Sequence, residues 1–451
     1  MTTTIDLNMV NAYIPGRADV GAETGATIAR RDRLLGPAYR LMYERPLHIV
    51  RGEGAWLFDS DGRRFLDIYN NVTSLGHCHP RVVEAICRQV ATLATNTRYL
   101  HETILELAER LLATVPGTDL AHLMLTCTGS EANDLAYRIA KVRTGGTGII
   151  VTDTAYHGFT DAVSQFSPSL GMSVDLGSHV RTVPAPRAYH AGGADLAERF
   201  TQDVEAAIAD LERHGIRPAM LIVDTVFTSD GLLPDPAGFL RGAVAAIKQA
   251  GGLFIADEVQ PGFGRTGQHM WGFQRHDIIP DIVTMGKPMG NGQPIAGLLV
   301  TKDAVARFGR DSRYFNTFAG NTVSCAAAVA VLDTIEQEGL IVHAAKTGEE
   351  LRAGIAGLAQ RHAAIGDVRG IGMFVGVEIV ADRVTREPDR QTTSRVVNNL
   401  RDKGILLSAC AQGHNVLKIR PPLVLTSDQV AMVVQGLDEA FAEAVSAGAA
   451  G

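Results

Sequence analysis

The chain has 451 residues, 46% of them hydrophobic and 20% charged, with a formal net charge of −7. That length leaves room for two or three domains around a large core, and an acidic balance with no Lys/Arg cluster set against it excludes a nucleic-acid surface as the main business of the protein. No apolar run approaches a membrane span, residues 1–20 lack the basic start and apolar core of a signal peptide, and five scattered cysteines (Cys78, Cys87, Cys127, Cys325, Cys410) without CxxC spacing fit a reducing compartment, so a cytoplasmic protein is expected.

Residues 1–30 are polar, with Gly16, Gly21 and Gly25, and are expected to form an arm. Residues 30–43 suit a short helix or a loop passing over a pocket. Runs at 47–50, 55–58 and 64–68, separated by Gly52, Gly54 and Asp61-Gly62, predict a small antiparallel meander. His77, Cys78 and His79 stand together, but no further ligand cluster completes a metal site around them. They are read as caps of the helix that opens at Pro80, where proline is tolerated, and that carries Val82, Val83, Ile86 and Val90 at helical spacing. A second amphipathic helix over 105–112 is stopped by Pro116-Gly117. A strand at 123–125 then leads into a helix whose buried face is Ala132, Leu135, Ala136, Ile139 and Ala140. Gly129 and Ser130 at the start of that helix suit two roles. They are a phosphate cradle, where free N–H groups and the positive end of the dipole converge, or Ser130 is a plain N-cap.

From there, apolar runs at 148–152, 220–223, 253–256, 282–285 and 295–300 alternate with helical patterns such as 204–213 and 239–249. This predicts an α/β fold, a mainly parallel sheet covered by helices on both faces. Tyr156 follows the first of these runs, where an aromatic side chain can stack on a flat ring. A long helix is expected over 322–335. The remainder, with strands at 372–380 and 416–419, predicts a smaller α+β domain, and 444–451 a frayed tail. The expected division is 1–75 for the arm and part of the small domain, 76–330 for the large domain and 331–451 for the small C-terminal one.

Two residues point to chemistry. Residues 253–256 are too few for a helix and suit a strand buried on both faces. Asp257 stands where that strand ends, and open α/β sheets gather ligands at the carboxyl ends of their strands. Residues 278–285 lead into Gly286-Lys-Pro-Met-Gly-Asn-Gly292, which sets Lys287 in a glycine-rich loop just past another strand. Taken singly, the acid has the commoner reading of a helix cap and the lysine that of a solvated side chain. Together, at neighbouring strand ends, they suit pyridoxal phosphate: the acid keeps a pyridinium nitrogen protonated and the lysine bonds to the aldehyde.

Five stretches in one order carry a resemblance: Thr128-Gly-Ser-Glu-Ala-Asn133, Ala155-Tyr-His-Gly158, Asp257-Glu-Val-Gln-Pro-Gly-Phe-Gly-Arg265, Thr284-Met-Gly-Lys287 and Asn316-Thr-Phe-Ala-Gly-Asn321. On them the chain resembles the class III, fold-type I aminotransferases, which use pyridoxal 5'-phosphate. The resemblance implies that Lys287 binds the cofactor covalently, that Asp257 pairs with its ring nitrogen, that Val259 and Tyr156 cover its two faces and that Gln260 bonds its ring hydroxyl. It implies that Gly129 and Ser130 hold its phosphate together with Thr317 of a partner subunit, hence an obligate homodimer, with a tetramer as the larger alternative. Gly76-His-Cys-His-Pro80, Asn96-Thr-Arg-Tyr-Leu-His101 and Asn415-Val-Leu-Lys-Ile-Arg-Pro-Pro422 are similar to the alanine–glyoxylate aminotransferase 2-like branch, which includes ethanolamine-phosphate phospho-lyases.

The chain also departs from the family. Many of its aminotransferases carry a glutamate after the strand ending near residue 223, paired with a C-terminal arginine. Here Ser229 falls at that place, and Arg420, at the arginine position, lacks the partner. The segment 409–415 departs from the Gly-Pro-His pattern of the branch, and Ala319 and Thr322 are smaller departures. The expected function is transfer of an amino group from a primary amine or amino acid to a keto acid. The alternative is elimination of phosphate and ammonia from O-phosphoethanolamine or a similar amino phosphate. Asn71, Arg98, Tyr99 and Arg420 are the candidate substrate contacts.

Overall fold

The computed structural model describes residues 9–171, 174–192 and 195–449. The chain opens with α1 (Ala22–Leu35), followed by β1 (Ile49–Glu53), β2 (Trp56–Asp59) and β3 (Arg64–Asp67). The expected arm is therefore shorter than the sequence suggested, and its residues 1–8 lie outside the described residues. Ile28 is the buried side chain of α1, so the helix has hardly any apolar face for periodicity to detect. The meander forms as expected, with antiparallel pairing of β1 with β2 and of β2 with β3.

Next come α2 (Pro80–Thr92), α3 (Glu102–Ala113), β4 (Leu120–Thr126) and α4 (Gly129–Thr144). The capping role expected of the His77–His79 cluster is corrected. His79 is the N-cap residue of α2 but makes no side-chain cap bond, and the His77 ring turns away to Asp67, with Nε2 2.9 Å from Oδ2. Among the described residues, no group of three or more His, Cys, Asp or Glu side chains is placed to hold a metal ion. At α4 the cap is Thr128, not Ser130. Its Oγ1 accepts the Glu131 N–H at 3.1 Å while Glu131 Oε2 accepts the Thr128 N–H at 3.1 Å, a capping box.

The central part comprises β5 (Gly148–Thr152), α5 (Asp161–Ser164), β6 (Val180–Val183), α6 (Leu196–Arg213), β7 (Pro218–Asp224), α7 (Arg241–Gln249), β8 (Leu253–Asp257), β9 (Ile282–Met285), β10 (Ala296–Thr301) and α8 (Lys302–Asp311). With β4 these strands make a seven-stranded sheet in the order β4-β10-β9-β8-β7-β5-β6. Only β10 runs against its neighbours; the pairs from β9 to β6 are parallel. Helices cover both faces. In β8, Phe254 and Ala256 join one core and Leu253 and Ile255 the other, which is why the strand is a continuous apolar run. The sequence missed β6, an edge strand with Arg181 and Thr182 at its centre.

Beyond these lie α9 (Thr322–Gln337), α10 (Leu340–Leu358), β11 (Ile365–Ile371), β12 (Phe374–Ile379), α11 (Arg390–Asp402), β13 (Ile405–Leu406), β14 (Ser408–Cys410), β15 (Val416–Ile419) and α12 (Ser427–Ala449). An antiparallel sheet runs β11-β12-β15-β14. The short β13 pairs in parallel with β3, Ile405 opposite Leu66, so the N-terminal meander is completed by the C-terminal part of the chain. The frayed tail is corrected too: α12 continues through Ala449, and Ala444 is buried in the core. Among the described residues no helix is long and apolar enough to cross a membrane.

Candidate active site

Because β7, β8 and β9 are adjacent and parallel, they end side by side. Asp224 is opposite Asp257, and Asp257 is opposite Thr284. Lys287 follows three residues after Thr284. A cavity of about 180 Å³ opens at this edge. It brings together Gly129, Ser130, Tyr156, Asp257, Val259, Gln260 and Lys287, all singled out in the sequence. It also takes in His157, Gly158 and Asp224, to which the sequence reading gave no role.

Asp257 is buried and fixed from three sides. Its Oδ2 lies 2.7 Å from His157 Nδ1 and accepts Asn133 Nδ2 at 3.0 Å, and its Oδ1 accepts the Val259 N–H at 3.1 Å. Both His157 and Asn133 sit inside stretches quoted above, so the signal for them was present and unread. Burial lowers the basicity of Lys287, Asp257 pulls it back up, and Arg420 lowers it further. The net fall enlarges the neutral fraction of the amine, the form that acts as nucleophile and base. Burial, followed by the charge of Asp257, raises Asp224.

A second line of contacts runs from Gln260 toward the C-terminal sheet. Gln260 Nε2 donates to Thr228 Oγ1 and lies 3.4 Å from Asp224 Oδ2. Gln260 Oε1 accepts from Arg420 Nη1 at 2.5 Å, and the same nitrogen reaches Asn71 Oδ1 at 3.2 Å. The Arg420 guanidinium also stands 4.7 Å from the centre of the Tyr69 ring. Asn71 and Arg420 are thus brought to the site. Arg98 and Tyr99 are not brought to the cavity of this chain: Arg98 stacks on Phe315, 3.7 Å from its ring centre, and Tyr99 is exposed. Thr317 is exposed and does not line the cavity either. Ser229 accepts the Ala411 N–H through its carbonyl at 3.2 Å.

The walls match a flat ring carrying a phosphate. The capping box leaves the Gly129 and Ser130 N–H groups without an intrahelical partner at the positive end of α4. Two glycines keep that corner open. A Cβ on Gly129 would meet Val259 Cγ1 at 2.9 Å, and one on Gly158, at φ 136°, would meet Ser130 Oγ at 2.5 Å. A Gly158→Ala variant is therefore expected to displace Ser130 and carry backbone strain of about 1–3 kcal/mol, weakening cofactor retention by about tenfold. Cofactor remaining after dialysis measures this, and unchanged retention would contradict it.

Pyridoxal phosphate asks for a carboxylate at its ring nitrogen, an amine at its aldehyde and N–H donors around its phosphate. This edge of the sheet offers each, and the protein is a pyridoxal-phosphate-dependent enzyme of the fold-type I class. Comparison with known proteins narrows the class. The family pattern described as Aminotransferase class-III matches residues 40–441, and the chain belongs to that family. It is 38% identical to an alanine–glyoxylate aminotransferase 2-like protein of Drosophila melanogaster, over 92% of this chain and 86% of the other. It is 36% identical to ethanolamine-phosphate phospho-lyase homolog 1 of Caenorhabditis elegans, over 91% and 92%. Among solved structures it is similar to a phospholyase from Arthrobacter in complex with phosphoethanolamine, with a TM-score of 0.89 and 42% identity over 92% of this chain and 99% of that one.

Proposed function

We propose that the enzyme transfers an amino group from a primary amine or amino acid to a keto acid, and that its substrates carry an anionic group. The observation that carries this is Arg420. It is buried, its guanidinium is held by the neutral side chains of Gln260 and Asn71, and among the described residues no carboxylate pairs with it. A buried arginine without an acid is matched by an anion supplied from outside.

When bound, pyridoxal phosphate supplies an aldehyde for the amine and a ring that takes up the electrons of the substrate carbon. Lys287 would hold the cofactor at its aldehyde carbon, and its neutral amine would be the base that takes a proton from the substrate carbon. Asp257, oriented by His157 and Asn133, would keep the proton on the ring nitrogen. Gln260 would face the ring hydroxyl, Tyr156 and Val259 would cover the faces, and Gly129 and Ser130 would seat the phosphate.

A second reading, elimination of phosphate and ammonia from O-phosphoethanolamine or a similar amino phosphate, is favoured by Ser229 at the glutamate position and by the 42% identity to the Arthrobacter phospholyase. The two readings separate in one experiment. The holoenzyme is mixed with O-phosphoethanolamine and no keto acid, and phosphate is assayed while the cofactor absorbance is followed. Transfer predicts no phosphate, with amine donors bleaching the cofactor until a keto acid restores it. Sustained phosphate release with unchanged absorbance would replace transfer by elimination.

We also read the chain as a cytoplasmic homodimer with a cofactor-binding domain over 76–330. Five free cysteines fit the compartment. Exposed Leu100, Phe318, Tyr99 and Phe159, in stretches flanking Thr317 and the cavity, fit a surface covered by a second copy.

A further inference from the structure

A second cavity, of about 430 Å³, shares no lining residue with the candidate active site. Its walls carry Asp235 from the connection between β7 and α7, Arg275 from the connection between β8 and β9, Glu349 and Arg352 on α10, and Arg369 on β11. Gly348 and Gly372 also line it, and they let three stretches of backbone meet there. A Cβ on Gly348 would stand 1.9 Å from the Gly372 carbonyl oxygen, and one on Gly372 would stand 2.4 Å from the Arg265 carbonyl oxygen. The cavity is thus a seam between tightly packed segments, with the size of a small-molecule site.

Arg275 is the group that asks for a ligand. Its side chain is 7% exposed, and its Nη2 donates to Asp235 Oδ1 at 2.8 Å. Its Nε and Nη1 are buried and have no acceptor among the described residues. Buried N–H groups without acceptors are rare in folded proteins and call for a missing partner. The other arginines differ. Arg369 is committed to Asp367, Glu378 and the carbonyls of Gly231 and Leu232. Arg352 turns Nε and Nη2 to Glu349, three residues earlier on the same helix, a surface pair of a kind that contributes little and exchanges readily.

The charges are sorted by depth. The cation Arg275 is inside, while the side chains of Asp235 and Glu349 are 64% and 60% exposed at the rim. A ligand entering the seam therefore meets unmet donors on a positive group, which an anion complements. Carboxylates are what Arg275 and Arg352 already hold, and the guanidinium fork matches their two oxygens. A molecule with a carboxylate at each end would replace both rim acids at once, with one end on Arg275 and the other on Arg352.

We propose that this seam is a binding site for a dicarboxylate, separate from the site that holds the cofactor. It goes beyond the proposed function and does not depend on it.

The probe is succinate, which has neither an amine nor a keto group, titrated by calorimetry into holoenzyme. Succinate is expected to bind at least about tenfold more tightly than propionate, because its second carboxylate adds a second charge-assisted contact. Arg275→Met should weaken succinate at least about tenfold, and Arg352→Met, on the rim, at least about threefold. Glu349→Gln removes a competing carboxylate and should tighten succinate about twofold or more, a gain that damage to the fold does not produce. Arg420→Met, which removes the cation of the active site, should leave this binding within about twofold of wild type. The seam is refuted if Arg275→Met and Arg352→Met both bind succinate within about twofold of wild type, or if Glu349→Gln weakens it. Succinate binding lost in Arg420→Met and unchanged in the seam variants would place the ligand in the active site and overturn the proposal.

Discussion

Replacing Lys287 by alanine is expected to lower turnover by at least about 10³-fold with every amine tested, because in the proposed function the same side chain both holds the cofactor and moves the proton. A positioned base alone contributes about 10² to 10⁴ in rate, and the depressed basicity of Lys287 places more of its amine in the working form near neutral pH. The remaining cavity walls, with Asp257 held from three sides and the α4 N-terminus uncapped by Ser130, are untouched by the change, so the variant should still take up cofactor. The decisive comparison is borohydride reduction followed by mass measurement of the peptide containing residue 287. Wild type should gain the mass of the cofactor on Lys287, and Lys287→Ala should gain none. A variant with wild-type turnover would remove Lys287 from the chemistry.

Asp257→Asn should cost at least about 10²-fold in kcat, the scale seen when one fixed electrostatic group is lost from a reacting centre. Two effects combine. An amide cannot hold a positive ring nitrogen as a carboxylate does. It also has one acceptor oxygen where the carboxylate has two, while His157, Asn133 and the Val259 N–H all approach this side chain. At least one of those buried groups then faces an N–H, a mismatch of about 1–3 kcal/mol. His157→Ala removes only the orientation and should cost less than Asp257→Asn, chiefly in kcat. Equal kcat in wild type and Asp257→Asn would refute the assignment.

The legible parts of this protein were those in which neighbouring residues carry the signal. The four residues 253–256 revealed β8 because the strand is buried on both faces, and Asp257 and Lys287 followed from where the runs stop. Thr128 could have been read as the cap of α4 from the Thr-x-x-Glu spacing to Glu131 alone. Other elements left no local trace. Strand β6 puts polar residues at the centre of an edge, and α1 buries little. Arg275 and Arg352 lie outside any sequence reading for a different reason: they reach one cavity only through the packing of distant segments. Arg98 and Tyr99 were carried by resemblance, and in a single chain they lie away from the cavity.

The parallel pairing of β3 with β13 has a consequence for how the protein is made. Tyr43 donates to the Leu407 carbonyl across 364 positions, and Leu66 waits for Ile405. As the chain leaves the ribosome, the meander must stay without these neighbours until β13 has also been made, an interval of about 20 s or more at about 5–20 residues per second. The large sheet can assemble in that time, but the Asn71–Arg420 corner cannot. The Asn71–Arg420 corner thus forms later than the large sheet, and a nascent chain arrested before β13 would present an exposed meander to chaperones while already holding Asp257 and Lys287.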